Sequence, residues 1–169
     1  ANNLAGTIPR EIELLTNSLY LLGFNNNPEL QGTIPSEIAL LTGLESIQIS
    51  RTAIGGTIPT VLSQLSTHLE SLYLHRNQLQ GNIPSELAVL TMLQALWLHG
   101  NKLTGTIPPE LFALSSTEQE LQMQNLQELY LDSNQLTGPI PSLSNQDRDG
   151  EEANSASDLR YGLFSDGVT

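Results

Sequence analysis

The chain has no cysteine among its 169 residues, which excludes a disulfide framework, a thiolate zinc site and a thiol nucleophile and leaves its redox compartment open. Charge is sparse at 14 % and lopsided, with 6 basic against 18 acidic residues and a formal net charge of −12. Such a surface repels phosphate backbones and anionic lipid headgroups, so nucleic acid and membrane surfaces are not expected partners. Aromatic residues make up only 5 %. No apolar run approaches the roughly 20 residues needed to cross a bilayer. No basic stretch followed by an apolar one opens the chain as a secretory leader would. The opening ANNLAGTIP starts in mid-repeat, as expected of a piece of a longer protein, and a missing leader in a piece says nothing against secretion.

What the chain does have is repetition. Gly-x-Ile-Pro, or its close variant, recurs at Gly6, Gly32, Gly56, Gly81, Gly105 and Gly138, with successive differences of 26, 24, 25, 24 and 33. Self-similarity at a period of about 24 residues is the signature of a stacked repeat protein, here long enough for one domain with a sizeable core. The clearest unit is LESLYLHRNQLQGNIPSELAVL, residues 69 to 90. Leu69, Leu72, Leu74 and Leu79 fall on L-x-x-L-x-L-x-x-N-x-L, and the period-two alternation around Leu72 and Leu74 predicts a short strand with one buried face. Asn77 ends it, with an amide able to serve backbone groups of neighbouring coils. Gly81 permits a close turn, Pro84 directs the chain, and the spacing of Leu87 and Leu90 suits a short 3₁₀ or α turn. The buried strand positions elsewhere are Leu19, Leu22 and Phe24; Leu44, Ile47 and Ile49; Leu93, Leu96 and Leu98; and Leu126, Leu129 and Leu131. The turn asparagine recurs as Asn2, Asn27, Asn77, Asn101 and Asn134, with Thr52 as the one departure, so a continuous polar ladder is expected. One unit cannot bury its own apolar face, and stacking does it.

These units resemble leucine-rich repeats, and NNLAGTIP, NQLQGNIP, NKLTGTIP and NQLTGPIP resemble the plant-type subclass, over roughly residues 1 to 142. GTIPSE-x-x-x-LT is also similar to repeats of protist proteins of this type. The resemblance implies an α/β fold: a right-handed curved solenoid of about six repeats, the first truncated, with parallel strands on a concave face and short helical turns on a convex one. It further implies a non-enzymatic recognition role without cofactor or metal, in a receptor-like, signalling or secreted extracellular protein. A transmembrane or kinase domain would then flank this segment in the parent. The family's extracellular members carry cysteine-bearing caps, and neither is found here, which puts the ends of the stack in question.

Two stretches break the period. NNNPELQG, residues 25 to 32, is one residue long for its turn. From Leu114 to Leu126 there are twelve residues where sister repeats use three or four, and SSTEQELQMQ, 115 to 124, is expected as an elongated convex helix capped by Ser115 or Ser116. It reads as a partner contact or, more simply, as a tolerated insertion. Residues 143 to 169 form an acidic polar tail, expected to be disordered or, through LRYGLF, a weak cap. DRDGEE lacks EF-hand spacing.

If the strands stack in parallel, outward residues form columns about 4.8 Å apart. One column reads Gly23, Gln48, Tyr73, Trp97 and Tyr130; the next Asn25, Ser50, His75, His99 and Asp132; the one beyond holds Arg51 and Arg76, with Glu45 and Glu70 on the opposite flank. The expected concave ligand site is therefore Tyr73, Trp97, Tyr130, His75, His99, Arg76, Asp132 and Arg51, binding a protein, peptide or glycan, because Tyr, Trp and Arg combine rigid area with a polar handle. The alternative is a structural scaffold in which the aromatics only brace the sheet. A metal on His75, His99 and Asp132 is disfavoured because adjacent side chains on a flat sheet diverge. Ser50 and His68 lack the oxyanion donors and third group of a nucleophilic site. A last possibility is an ice-binding array built on the recurrent Thr7, Thr33, Thr57 and Thr106, broken by Asn82 and Pro139.

Overall fold

The computed structural model describes residues 2–15, 19–112 and 125–139 together with the backbone of 160–162. Five three-residue strands, Leu21–Gly23, Ser46–Gln48, Ser71–Tyr73, Ala95–Trp97 and Glu128–Tyr130, lie parallel in chain order along the concave face, and Arg160–Gly162 adds a sixth at the end. Each is short because the chain must turn once the two alternating apolar residues are buried. Their register joins equivalent positions, so Leu22, Ile47, Leu72, Leu96 and Leu129 form one row inside and Gly23, Gln48, Tyr73, Trp97 and Tyr130 one row outside. Three residues past each strand the backbone turns left-handed, at Asn26, Arg51, Arg76 and Ser133 with φ of 54° to 59°, and at Gly100 with φ 69°.

The residue after that turn is the ladder position, and the polar ladder forms there. The Asn101 amide donates to the carbonyls of Leu98 (2.8 Å) in its own coil and Leu74 (2.9 Å) in the one before, while its oxygen accepts from the Leu79 N–H at 3.1 Å. Asn134 repeats this toward Leu131, Leu98 and the Leu103 N–H. Thr52, with its shorter side chain, joins the ladder on one side only, toward the following coil. Its hydroxyl donates to the Asn77 carbonyl oxygen and accepts from the Ile54 N–H. Buried backbone groups that no strand can pair are thereby satisfied.

A second, lateral set of strands follows, with Ala5–Thr7 beside Glu29–Gln31 and a four-stranded run of Gly55–Gly56, Gln78–Gly81, Lys102–Gly105 and Gln135–Leu136. Here the register slips. Gly6 stands opposite Leu30, Gly56 opposite Leu79 and Gly105 opposite Leu136, so the repeated phrase is displaced by two residues from coil to coil. The slip explains the glycine. Gly56 has φ +74°, and a Cβ there would come within 2.7 Å of the Thr33 Cγ2 of the preceding coil. Gly32 meets Thr7 in the same way, and Gly105 meets Asn82. The glycine is thus required by both its own backbone and its neighbour's side chain.

On the convex side, Pro35, Pro59, Pro84 and Pro108 stand in extended conformation immediately before helices. These helices, Arg10–Leu15, Ser36–Leu40, Thr60–Leu65, Ser85–Val89 and Pro109–Leu111, are all 3₁₀, and each buries one aliphatic residue at the same place: Ile12, Ile38, Leu62, Leu87 and Leu111. One apolar core runs the length of the stack from Ile8 to Leu131. The helix expected over 115–124 lies outside the described residues, as does the acidic tail apart from the strand backbone at 160–162.

Candidate ligand site on the concave face

The central outward row brings three aromatic rings together. Tyr73 and Trp97 stand opposite each other on adjacent strands with ring centroids 4.6 Å apart, tilted by 52°. Trp97 and Tyr130 follow at 5.3 Å and 85°, an edge-on contact. The rings are half-buried rather than standing free, because each leans on the next. The Trp97 indole N–H donates to Glu128 Oε2 at 3.0 Å. Glu128 does not belong to the expected site. It stands two residues before Tyr130 on the same side of the pleat, a diagonal step from Trp97, and that diagonal is the signal which would have found it.

Beside the rings lie His75 and His99, stacked at 4.6 Å with their planes only 16° apart. His75 is 9 % exposed, and the Nδ1 of both rings is buried without a hydrogen-bond partner. Burial pushes the His75 imidazole down to about 4, with His99, Arg51 and Arg76 adding repulsion. His99 is lowered as well, first by burial, with Arg76 and Arg51 adding to the lowering and only the Asp132 carboxylate working the other way. The stack is therefore a neutral, semi-buried surface at neutral pH. Among the described residues no group of three or more His, Cys, Asp or Glu side chains is arranged to hold a metal ion.

Next to this pair, Arg51 and Arg76 are exposed and stand on adjacent left-handed turns. The stem of Arg76 lies along Gly100, where a Cβ would come within 3.1 Å of Arg76 Cγ. Asp132 is half-buried at the far end of the histidine column. In the second coil the polar residues of the same face serve one another. Asn25 Oδ1 accepts from the Ser50 N–H and hydroxyl, and its amide donates to Gln48. Ser50, 4 % exposed, is thus a structural hydroxyl, and His68 lies exposed beside Thr67 away from this face. All eight expected residues thus lie on one wall of the stack, with rings and histidines in mutual contact.

The Leucine Rich Repeat sequence profile matches residues 68–90, 92–114 and 125–146. No curated protein sequence matches the chain. Among solved structures, the chain is similar to the ectodomain of the Arabidopsis thaliana receptor kinase GASSHO1/SCHENGEN3 in complex with CASPARIAN STRIP INTEGRITY FACTOR 2, at 32 % identity and a TM-score of 0.71. That likeness covers 80 % of this chain and 15 % of the other. It is similar to the Arabidopsis receptor kinase HAESA, solved with the peptide hormone IDA and the co-receptor SERK1, at 38 % identity and a TM-score of 0.72 over 81 % of this chain and 21 % of that one. It is also similar to a plant ice-binding protein, at 38 % identity and a TM-score of 0.71 over 82 % of this chain and 41 % of that one. The chain thus spans between 15 % and 41 % of the length of these relatives. With the repeat profile, the stacked parallel strands and 3₁₀ turns, and these plant ectodomain neighbours in agreement, the chain belongs to the leucine-rich repeat proteins of the plant type.

Proposed function

We propose that this chain is a non-enzymatic recognition module whose concave face binds a peptide or an extended protein segment, within an extracellular part of a receptor-like protein. The observation that carries this reading is the row Tyr73, Trp97 and Tyr130, half-exposed and in register at the centre of the face. Large rigid side chains with a polar handle are those most often found at binding hot spots. Ring tilts of 52° and 85° leave no flat platform for successive sugar rings, which favours a peptide over a glycan. The HAESA complex with a peptide hormone supports the same ligand class, and the similarity to ectodomains of membrane receptor kinases supports the compartment.

The test is a screen of the folded chain and a Tyr73→Ala, Trp97→Ala, Tyr130→Ala triple variant on peptide and glycan arrays, with both melting temperatures recorded. Peptide binding by the parent alone, with both chains folded, is the expected result. Binding by neither, with a large fall in melting temperature for the variant, would instead make the rings a brace for the sheet.

A second reading rests on the lateral strands. Thr7, Thr33, Thr57 and Thr106 are exposed there, each seated on the glycine of the following coil, and the plant ice-binding relative shares this fold. The two-residue slip per coil sets these threonines on a diagonal instead of one straight row. Ice-recrystallisation inhibition by the parent, lost on Thr33→Lys with Thr57→Lys and retained in the aromatic triple variant, would establish this reading. No inhibition by the parent would remove it.

A further inference from the structure

On the concave face two neighbouring coils pair an acidic residue on one margin with a basic residue on the other, while Glu128 and Asp132 of the fifth coil lie within the face. On one margin, backbone hydrogen bonds stack Tyr20, Glu45, Glu70, Gln94 and Gln127 in successive coils, each N–H donating to the carbonyl of the one before. On the other margin the left-handed turns read Asn26, Arg51, Arg76, Gly100 and Ser133. Only the second and third coils, residues 45–51 and 70–76, are charged at both places, acidic at one end and basic at the other. Within either coil six residues separate the two charges, on the order of 20 Å in extended chain, too far for them to neutralise each other. None of the four side chains has a hydrogen bond or ion pair among the described residues.

Arginine is also a costly choice for its position. A non-glycine residue in the left-handed region carries a penalty of about 1–2 kcal/mol, and the smaller Asn, Gly and Ser occupy this turn elsewhere in the stack. Two unpaired guanidiniums on strained turns, in a chain of net charge −12, are groups for which the fold supplies no partner. The path between the two margins runs over Ser46, Ser71, Gln48 and Tyr73, with the Trp97 ring forming its wall.

We propose that the concave site reads a bipolar extended peptide lying along the second and third coils, with its basic end over Glu45 and Glu70 and its acidic end over Arg51 and Arg76. This rests on the concave-face reading above and adds to it the ligand's charge pattern, its length of about six to seven residues and its direction along the strands.

The experiment measures affinity for four heptapeptides with blocked termini: Lys-Lys-Gly-Tyr-Gly-Asp-Asp, and the same centre with Asp, with Lys or with Ser at both ends. The parent binds the bipolar peptide about fivefold more tightly than either singly charged one, the ratio expected when one end finds a like charge in place of an opposite one. Glu45→Lys with Glu70→Lys moves the preference to the doubly acidic peptide, and Arg51→Glu with Arg76→Glu moves it to the doubly basic one. Arg51→Asn with Arg76→Asn, which suits the left-handed turn, abolishes the advantage of the acidic end without altering the fold. An equal charge change elsewhere, Arg10→Glu with Lys102→Glu, leaves the ranking unchanged. Parent affinity as high for the doubly acidic peptide as for the bipolar one, or a ranking indifferent to the margin variants, overturns the bipolar footprint. If such binding still falls in Trp97→Ala, the concave reading stands without it. Binding that Trp97→Ala leaves untouched, or no binding to any of the four, overturns both.

Discussion

The concave sheet and the lateral strands are two walls of one stack, built from the same coils, yet they treat residue identity in opposite ways. Along the concave wall equivalent positions face each other strand to strand, and the outward row runs Gly23, Gln48, Tyr73, Trp97, Tyr130. These side chains touch one another along the row, as Tyr73, Trp97 and Tyr130 do, but the backbone of the adjacent coil demands no particular residue, so glycine, glutamine and large rings all occur there. Along the lateral wall the two-residue slip presses each coil's Thr or Asn onto the glycine of the next, at 2.6 to 3.1 Å from where a Cβ would stand. There the neighbouring coil dictates the residue. Repetition therefore marks contact between coils, and variety marks contact with solvent or ligand.

The largest effect that tests this contrast lies in the shared core. Leu72 is 0 % exposed and packs between Ile47 and Leu96 of the adjacent strands, so Leu72→Ala should cost about 2–5 kcal/mol in a denaturant titration. Gln80, exposed on the lateral wall one residue from Leu79, should tolerate alanine within about 0.5 kcal/mol. Comparable losses at the two sites would mean that the stack is held by its surface. Next comes the ladder. Asn101→Ala strips partners from the carbonyls of Leu74 and Leu98 and from the Leu79 N–H, an expected loss of about 1–3 kcal/mol. Asn101→Thr, imitating Thr52, should recover part of it, and a thermal melt of the three chains decides.

A smaller and sharper test separates the two demands made on a lateral glycine. Gly56→Ala places a methyl 2.7 Å from Thr33 Cγ2 on a backbone with φ +74°, and should cost about 1–2 kcal/mol. Thr33→Ser removes the offending methyl and leaves the backbone penalty, so a double-mutant cycle reads the contact alone. Gly55, next in sequence, has no positive φ and would meet nothing closer than 3.4 Å, so Gly55→Ala should be nearly neutral. Equal costs for the two glycines would refute the account of the slip.

The repeat could be read from Gly-x-Ile-Pro and L-x-x-L-x-L-x-x-N because both patterns encode local geometry: a turn, an alternation, an amide at a fixed step. The concave columns were legible for the same reason, since a parallel in-register sheet converts a period in sequence into a row in space. The slip of the lateral strands was not, because register depends on how steeply successive coils are inclined, and no single repeat encodes that. The Trp97–Glu128 hydrogen bond and the near-parallel His75–His99 stack were likewise hidden, since ring orientation is decided by neighbours 24 or more residues away.

The histidine stack gives a pH-dependent effect, and it ties the concave wall to stability. His75 is held down to about 4 by burial, then by His99, Arg51 and Arg76, while an unfolded chain returns it to about 6.5. Between those values the unfolded state binds a proton that the folded state refuses, so the contribution is intact above about 6.5 and is lost as pH falls toward about 4. His99 is lowered in the same direction, tempered by Asp132. Melting temperature should therefore fall from pH 7 to pH 4.5 more steeply for the parent than for His75→Gln, which has no proton to refuse. The comparison must be between the two chains, because every other group is common to both and cancels. Parallel slopes would mean that the imidazole charges freely on the face, and that the half-buried wall of rings is open to water.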